Sequence, residues 1–206
     1  MKAVSYVRWA ALAIVGIAVV IIGLKESISM SKAPIDLNDP SVDWSQLKAG
    51  DHVEMDITYL FDQFSTTTRD GKEVVRYYAI PKIESTDQQY YEITDFIAID
   101  VNDSSLNSQY DKLCNDTIDW WNDETGKEFK GESIHFDGIV KKLNNDTAGF
   151  FKDYLKHINY DDNFISSTQY ELGLFPAQNG NIVIIIIGVL AALVGVVAIV
   201  IKIVRK

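Results

Sequence analysis

The sequence predicts an α+β extracytoplasmic domain, with a small antiparallel sheet or partial barrel, carried between two transmembrane helices. The chain of 206 residues has a long apolar run near each end. Between these runs, segments that alternate apolar and polar residues come first, and segments with a helical spacing of apolar residues follow. Alternation is typical of strands and a spacing of about 3.6 residues is typical of helices, so the predicted order is βββαβα.

The apolar run near the C-terminus predicts a transmembrane helix over 182–201. It consists of Ile, Val, Leu, Ala and Gly and contains no charged residue. Twenty residues with a rise of about 1.5 Å each cover about 30 Å, which is the thickness of the hydrocarbon core of a bilayer. Lys202, Arg205 and Lys206 follow this run. They predict a basic cytoplasmic tail over 202–206.

The apolar run near the N-terminus, residues 9–24, predicts a first transmembrane helix. It is preceded by Lys2 and Arg8, and a basic start before an apolar stretch is also typical of a cleaved signal peptide. The run is long for a signal and lacks an A-x-A type cleavage site directly after it, which favours an uncleaved anchor. Basic residues flank both ends of the chain, so residues 1–8 and the tail are predicted to be cytoplasmic. The protein would then be a two-pass cell-membrane protein with its central domain outside.

The segment between the two runs is strongly acidic. Residues 26–180 hold all 29 acidic residues and 13 of the 19 basic ones, which gives a net charge of −16. This charge repels nucleic acid, so the predicted partners are the lipid bilayer and, outside it, cations or basic proteins. The single cysteine, Cys114, cannot form an internal disulfide. The domain must therefore be held together by its apolar core.

The acidic segment is predicted to begin with a linker over 25–40, followed by the folded domain over 41–178. Within 39–50, a short helical segment is expected to place Trp44 and Leu47 in the core.

Three strands are predicted in the first half of the domain. The Asp70-Gly71 pair is typical of the tight hairpin turn between the first two strands. Pro81 is expected to end the second strand, and the third is expected to bend at Thr94–Asp95, where the alternation is broken. The predicted strands cover 52–61, 74–81 and 90–101.

The second half of the domain is predicted to hold two helices and one strand. The first helix is expected to begin at Ser104 or Ser105 and to end at Gly126. A strand over 132–143 follows it, and a second helix capped by Asn145 or Asp146 comes next. The remaining segment, 159–181, is predicted to be irregular or weakly stranded.

One acidic stretch has the spacing of a calcium-binding loop. Asp100, Asn102, Ser104 and Asp111 place oxygen atoms at positions 1, 3, 5 and 12 of such a loop. Ser105 stands where the loop needs glycine, and Asp111 is shorter than the usual glutamate. The stretch is therefore interpreted as a turn and helix cap, and no cofactor is predicted, with Ca²⁺ as the alternative.

Other residues suggest chemistry only in combination. His52 and His135, with nearby carboxylates, could form a metal site if their strands are neighbours. Cys114 could act as a nucleophile, although its acidic neighbours disfavour the thiolate. The aromatic side chains could instead stack on sugars. These aromatic residues are Trp44, Tyr77, Tyr78, Tyr90, Tyr91, Trp120 and Trp121.

Small residues recur along both apolar runs at spacings that let helices approach closely. We therefore predict that the two spans pack as an antiparallel pair, or that they mediate homo-oligomers or contact a protein partner. The predicted helix-packing residues are Gly16, Gly23, Gly188, Ala192 and Gly195.

Four segments, "DWSQLKAGDHVEMDITYLF", "RYYAIP", "DTIDWW" and "GIVKKLNNDTAGFFKDYL", resemble an uncharacterised family of two-span membrane proteins from Gram-positive bacteria. The resemblance implies a bacterial cell-membrane location and no catalytic residues. The prediction is therefore a membrane-anchored extracytoplasmic interaction or binding module without a catalytic signature. The alternative is an envelope hydrolase or metal-dependent enzyme that uses histidine and carboxylate groups.

Overall fold

The computed structural model describes residues 2–87, 90–123, 125, 127–177 and 181–204. The chain divides into two compact units, one formed by residues 1–32 and 178–206 and the other by residues 33–177. The helices are α1 (Lys2–Met30), α2 (Asn107–Trp121), α3 (Asn145–His157), α4 (Asp162–Ser167) and α5 (Asn181–Val204). The strands are β1 (Ile35–Asp36), β2 (His52–Ile57), β3 (Phe61–Arg69), β4 (Lys72–Asp87), β5 (Tyr90–Val101), β6 (Ile134–Lys142) and β7 (Leu172–Pro176).

The first unit consists of α1 and α5, which pack against each other. Among the described residues, the segment Val7–Met30 of α1 is the one helix that is long and apolar enough to cross a membrane. The same features near an N-terminus are also typical of a signal sequence. In α5, the described segment Ile185–Ile201 is a shorter apolar helix. Arg205 and Lys206 of the predicted tail lie outside the described residues.

The predicted linker over 25–40 is wrong. Helix α1 continues to Met30, and Ile35–Asp36 forms β1, which pairs with β2. The charged and hydroxyl side chains that follow Leu24 are compatible with a helix. The first residue that breaks a helix in this segment is Pro34, and a residue before proline favours an extended backbone.

The second unit is built on one open, mixed seven-stranded sheet with the order β1-β2-β6-β7-β5-β4-β3. Two of its strand pairs, β1–β2 and β5–β7, are parallel, and the others are antiparallel. The prediction of an α+β domain is confirmed, whereas the small antiparallel sheet or partial barrel is wrong. The predicted order βββαβα omits β1, β7 and α4, and its first strand covers both β2 and β3.

The predicted strand over 52–61 is two strands, because the alternation fails at its end. Leu60 and Phe61 are consecutive and both are buried. The backbone N–H of Leu60 donates to the Thr117 hydroxyl at 3.1 Å, which takes it out of the strand ladder. β3 then pairs with β4 through the predicted turn, where Asp70 and Gly71 have φ values of 53° and 73°.

Pro81 does not end β4, which continues to Asp87. The pairing of β4 with β3 stops at Ala79 in the described register, so Pro81 lies where β4 is paired with β5 alone. Proline is tolerated in such an edge segment because its missing N–H breaks no ladder hydrogen bond. The predicted bend of the third strand is confirmed, since the register between β4 and β5 shifts at Thr94.

The segment predicted to be irregular or weakly stranded contains α4 and a central strand, β7. Strand β7 lies between β6 and β5, with Leu172, Gly173 and Leu174 all buried. A short strand that is buried on both faces shows no alternation of apolar and polar residues. The sequence pattern therefore could not reveal it.

Apolar side chains form a core on each face of the sheet. One cluster joins Tyr78 to Tyr110 and Leu113 of α2, and it includes Trp44 and Leu47, as predicted. The other cluster joins sheet residues to α3 and α4. Its buried members are Phe61, Tyr77, Ala79, Ile93, Phe96, Ala98, Leu143, Phe151, Leu155 and Ile165.

The helix starts differ from the prediction by one or two residues. The Asp103 carboxylate accepts from the N–H of Ser105 and caps a 3-10 turn that leads into α2. The Asn144 side chain accepts from the N–H of Thr147 and caps α3, in place of Asn145 or Asp146. Both caps still satisfy a backbone donor that the helix itself cannot. The predicted end of the first helix, Gly126, lies outside the described residues.

Candidate functional site

The two histidines singled out from the sequence lie on neighbouring strands. β2 and β6 pair with Asp56 opposite His135 and with Glu54 opposite Asp137. His52 Nε2 lies 2.8 Å from Asp137 Oδ1, and His135 Nδ1 lies 2.9 Å from Asp56 Oδ1. Alternate residues of a strand share a face, so these five side chains form one polar stripe across the two strands. We call it the histidine–carboxylate stripe.

The two ends of this stripe differ in exposure. His52 is buried, with its side chain 8% exposed, whereas the His135 side chain is 67% exposed. The hydrogen bond that the His135 ring donates to the Asp56 carboxylate raises the pKa of His135, and the negative charges of Asp56, Glu54 and Asp137 act in the same direction. The stripe therefore favours positive charge on His135.

A cleft of about 400 Å³ opens beside the stripe and shares Asp56 with it. Its apolar lining includes Trp44, Met55 and Ile80 from the core. The Trp44 indole nitrogen is a buried donor that has no acceptor among the described residues. The cleft lies within the usual range of small-molecule pockets, about 300–1,000 Å³. The other residues that line it are Leu37, Asn38, Asp39, Pro40, Thr58, Tyr59, Pro81, Lys82, Ile83 and Glu84.

The charged groups at the rim of this cleft already have partners. Lys82 Nζ donates to the carbonyl of Val42 at 3.1 Å and lies 3.0 Å from Glu84 Oε1. The Asn38 side chain exchanges two hydrogen bonds with the backbone of Asp56. These contacts fix the positions of Asn38 and Lys82 at the rim of the cleft.

The structure does not assemble the calcium loop that was the alternative interpretation of residues 100–111. Asp100 lies opposite Tyr77 in the β4–β5 register, whereas the Asp111 carboxylate accepts a hydrogen bond from the Tyr78 hydroxyl. Consecutive strand residues point to opposite faces, so the two carboxylates lie on opposite sides of the sheet. Asn102 and Ser104 are exposed. Among the described residues, no group of three or more His, Cys, Asp or Glu side chains is placed to hold a metal ion.

Asp111 belongs instead to an ion-pair network on β4 and α2, which the sequence analysis missed. Arg76 Nη1 lies 2.8 Å from Asp111 Oδ2, and Arg76 Nη2 lies 2.8 Å from Glu73 Oε2. The Tyr78 hydroxyl donates to Asp111 Oδ1 at 2.7 Å. Arg76 Nη1 also donates to the Tyr78 hydroxyl at 3.4 Å. This bond, followed by those to Glu73 and Asp111, raises the pKa of Arg76 above its ordinary value. Because Asp111 lies 35 residues after Arg76, no local pattern could have revealed the network.

Cys114 is buried in α2, and its thiol lies 3.7 Å from Asp62 Oδ1. Burial, followed by the negative charge of Asp62, raises the pKa of this thiol to about 12. The thiolate, which is the nucleophile, is therefore scarce at neutral pH. This environment is that of a structural cysteine.

Four of the predicted packing residues of the apolar helices lie where α1 meets α5. A Cβ atom on Gly16 would lie 2.6 Å from the backbone nitrogen of Ala192 and 2.7 Å from the carbonyl oxygen of Gly188. A Cβ atom on Gly195 would lie 2.8 Å from the carbonyl oxygen of Trp9. These glycines allow backbone-to-backbone contact that a side chain would prevent. Gly23 is also buried.

The fold and these sites define a class of protein: an acidic α+β domain, built on a mixed seven-stranded sheet, joined to a pair of apolar helices. The chain belongs to the family described as Domain of unknown function (DUF8577), whose model matches residues 1–205. A comparison with curated proteins gives no match.

Proposed function

We propose that this protein is a two-pass membrane protein that presents its acidic domain outside the cell as a binding module. The observation that carries the proposal is the exposure of aliphatic side chains on both helices of the first unit. Ile14 and Ile17 of α1 are 66% and 51% exposed, and Leu190 and Val197 of α5 are 56% and 52% exposed. Large aliphatic side chains are seldom so exposed in water along two whole helices, and a bilayer would cover them.

The packing of the helix pair supports an uncleaved anchor over a signal sequence. A cleaved signal has no structural partner, whereas Gly16 is fitted closely to Gly188 and Ala192 of α5. Helix pairs in membranes use small residues in this way. The basic residues at both ends of the chain favour cytoplasmic termini.

The charge of the outer domain supports the proposal of a positively charged partner. Residues 33–177 carry 28 acidic and 12 basic residues, a net charge of −16. Cations and basic proteins are attracted to such a surface, and nucleic acid and anionic lipid are repelled. A Gram-positive envelope is the location that fits the resemblance of the sequence.

Extraction of membranes from expressing cells tests the anchor. The full-length protein, tagged at its N-terminus, should stay in the pellet at alkaline pH, dissolve in detergent and keep its tag. Leu190→Arg should release part of the protein, because a charge at the centre of a span costs about 2.5–3.5 kcal/mol. Thr66→Arg, at an exposed site of β3, is the matched control and should change nothing. A tag that is lost, or release of the unmodified protein at alkaline pH, would refute the anchor.

A metal-dependent envelope enzyme is the second candidate, and the histidine–carboxylate stripe favours it. Two histidines and three carboxylates on one sheet face are of the ligand types that Zn²⁺ prefers. As these described side chains stand, no three of them are placed to hold one ion, so binding would have to draw them together. Calorimetric titration of the full-length protein in detergent with Zn²⁺ tests this candidate. His52→Ala and His135→Ala should abolish the binding, whereas His157→Ala, at an exposed site of α3, should preserve it. Equal binding by all three variants would refute a site at the stripe.

A further inference from the structure

A second cleft, of about 190 Å³, opens in the folded domain where the start of β3 meets the C-terminal ends of α2 and α3. Four aromatic side chains line it, and we call it the aromatic cleft. Its lining residues are Phe61, Asp62, Ile118, Trp121, Asn122, Tyr154, Ile158 and Tyr160. Among these described residues there is one carboxylate and no basic side chain.

The rings of the aromatic cleft are held in place by the core. Phe61 is buried, and its ring centroid lies 5.8 Å from that of Trp121 with an angle of 74° between the two planes. Tyr160 packs against Phe96 at 5.2 Å and stacks on Phe164 at 4.4 Å. Trp121 is 40% exposed, so the cleft is open to solvent. The aromatic walls are therefore preorganised, which lowers the entropic cost of binding.

Asp62 gives the aromatic cleft a negative charge. Burial, followed by the negative charge of Asp62, raises the pKa of Tyr154, which lines the same cleft. Besides Asp62 and the two tyrosines, the lining includes one amide side chain, that of Asn122. A charge beside aromatic walls favours a cation that is weakly hydrated and can lie against ring faces.

We propose that the aromatic cleft binds the quaternary ammonium group of a small organic cation. Such a group donates no hydrogen bond, so it loses little when water leaves, and its methyl groups can contact the rings while Asp62 balances its charge. The cleft is smaller than the pockets of drug-sized ligands, about 300–1,000 Å³, and suits a headgroup of this size. This inference rests on the binding role proposed above and names the ligand class.

Calorimetric titration of the full-length protein with choline tests the inference. The protein is purified in a maltoside detergent, because choline-containing detergents and lipids would fill the cleft. The neutral isostere 3,3-dimethylbutan-1-ol is the matched ligand control, since it has the shape of choline without the charge. Choline should bind in the millimolar range or tighter, and the isostere should bind at least fivefold more weakly. Equal binding of the two ligands, or no binding at millimolar choline, would overturn the inference.

Three variants assign the binding to this cleft. Trp121→Ala should weaken choline binding between about twofold and thirtyfold, the range of a single cation–π contact. Asp62→Asn keeps the volume of the side chain and should weaken binding at least fivefold. Phe150→Ala removes an aromatic ring of α3 that is 55% exposed and outside the lining, and it should leave the affinity unchanged. The unfolding midpoint of Asp62→Asn checks that this variant is folded. If the folded variant binds choline as tightly as the unmodified protein does, the inference is overturned.

A further pair of titrations distinguishes a lipid headgroup from a free cation as the source of the ammonium group. The titration is repeated in lipid discs of phosphatidylglycerol with and without phosphatidylcholine. Weaker apparent binding of choline in the second kind of disc identifies the lipid headgroup as a competitor, and equal binding identifies a free cation as the ligand. None of these measurements depends on which side of the membrane the domain occupies, so the inference and the proposed topology can fail separately.

Discussion

Substitution of Asp95 by asparagine should stabilise the folded domain at neutral pH and should have little such effect in mild acid. Asp95 lies at the bend of β5 and is 6% exposed. Its Oδ1 atom accepts the N–H of Phe96 at 2.7 Å and the N–H of Gln169 at 3.1 Å. Burial outweighs these two hydrogen bonds and raises the pKa of the carboxyl to about 6 from the ordinary value of 3.8.

The sign of the effect follows from proton binding. Between pH 3.8 and about 6, the folded state holds the Asp95 proton more tightly than the unfolded state does. Stability contributed by this group is therefore lost as the pH rises through that range. At about 1.4 kcal/mol per pKa unit, the shift of roughly two units makes the ionised carboxylate cost about 3 kcal/mol at pH 7.5. An asparagine keeps the Oδ1 acceptor and carries no charge.

The change in unfolding free energy caused by Asp95→Asn should be compared at two pH values, because this comparison isolates the contribution of the Asp95 charge. An unsatisfied amide N–H₂ would cost about 1–3 kcal/mol, but this cost is the same at every pH. The gain in unfolding free energy from Asp95→Asn should therefore be larger at pH 7.5 than at pH 4.5 by about 2 kcal/mol. Urea unfolding of the full-length protein in detergent, followed by tryptophan fluorescence, measures it.

A matched control is Asp103→Asn at an exposed cap. The side-chain and backbone hydrogen bonds from Ser105 lower the pKa of Asp103, so this carboxyl is ionised at both pH values. Asp103→Asn should therefore change the unfolding free energy by the same amount at pH 4.5 and at pH 7.5. If Asp95→Asn behaves like this control, the carboxylate of Asp95 is not destabilised by burial and the reasoning is refuted.

Three further predictions concern packing and reactivity. Phe151→Ala should lower the unfolding free energy by about 3–5 kcal/mol, because Phe151 is fully buried and stacks on Phe64 at 4.4 Å. Urea unfolding measures this loss, and a loss of less than about 1 kcal/mol would contradict the importance of this packing. Gly16→Ile should lower the melting temperature of the helix pair in detergent, measured by circular dichroism, whereas Ile17→Leu at an exposed position should not. Cys114 should react with a thiol reagent at pH 8 far more slowly than it does in urea, and equal rates would contradict its burial.

Local signals in the sequence predicted many of the elements. The hairpin at Asp70-Gly71 was evident because only a few residue pairs adopt positive φ readily at both positions. The helix α3 and the strand β6 followed from clear periodicity. The central strand β7 could not be predicted in this way, because its place in the sheet is set by pairing with β6 and β5, which lie far from it in the sequence.

The candidate sites depend even more on long-range contacts. The alternation of His52, Glu54 and Asp56 indicated that these side chains share a face, but only the pairing of β2 with β6 brings Asp137 to His52. The aromatic cleft joins a strand to the ends of two helices. The sequence identified Trp121 only as one of several aromatic residues. No local pattern predicted that Asp62 would line the same cleft.

Cysteine labelling on intact cells tests the central claim, that both apolar helices cross the membrane and place the acidic domain outside. In a Cys114→Ala background, single cysteines replace Asn115, which is exposed on α2, and Ser5 before the first apolar run. With a membrane-impermeant maleimide, we predict labelling of Asn115→Cys in intact cells and labelling of Ser5→Cys only after permeabilisation. Labelling of Ser5→Cys in intact cells, with Asn115→Cys protected until permeabilisation, would contradict the claim.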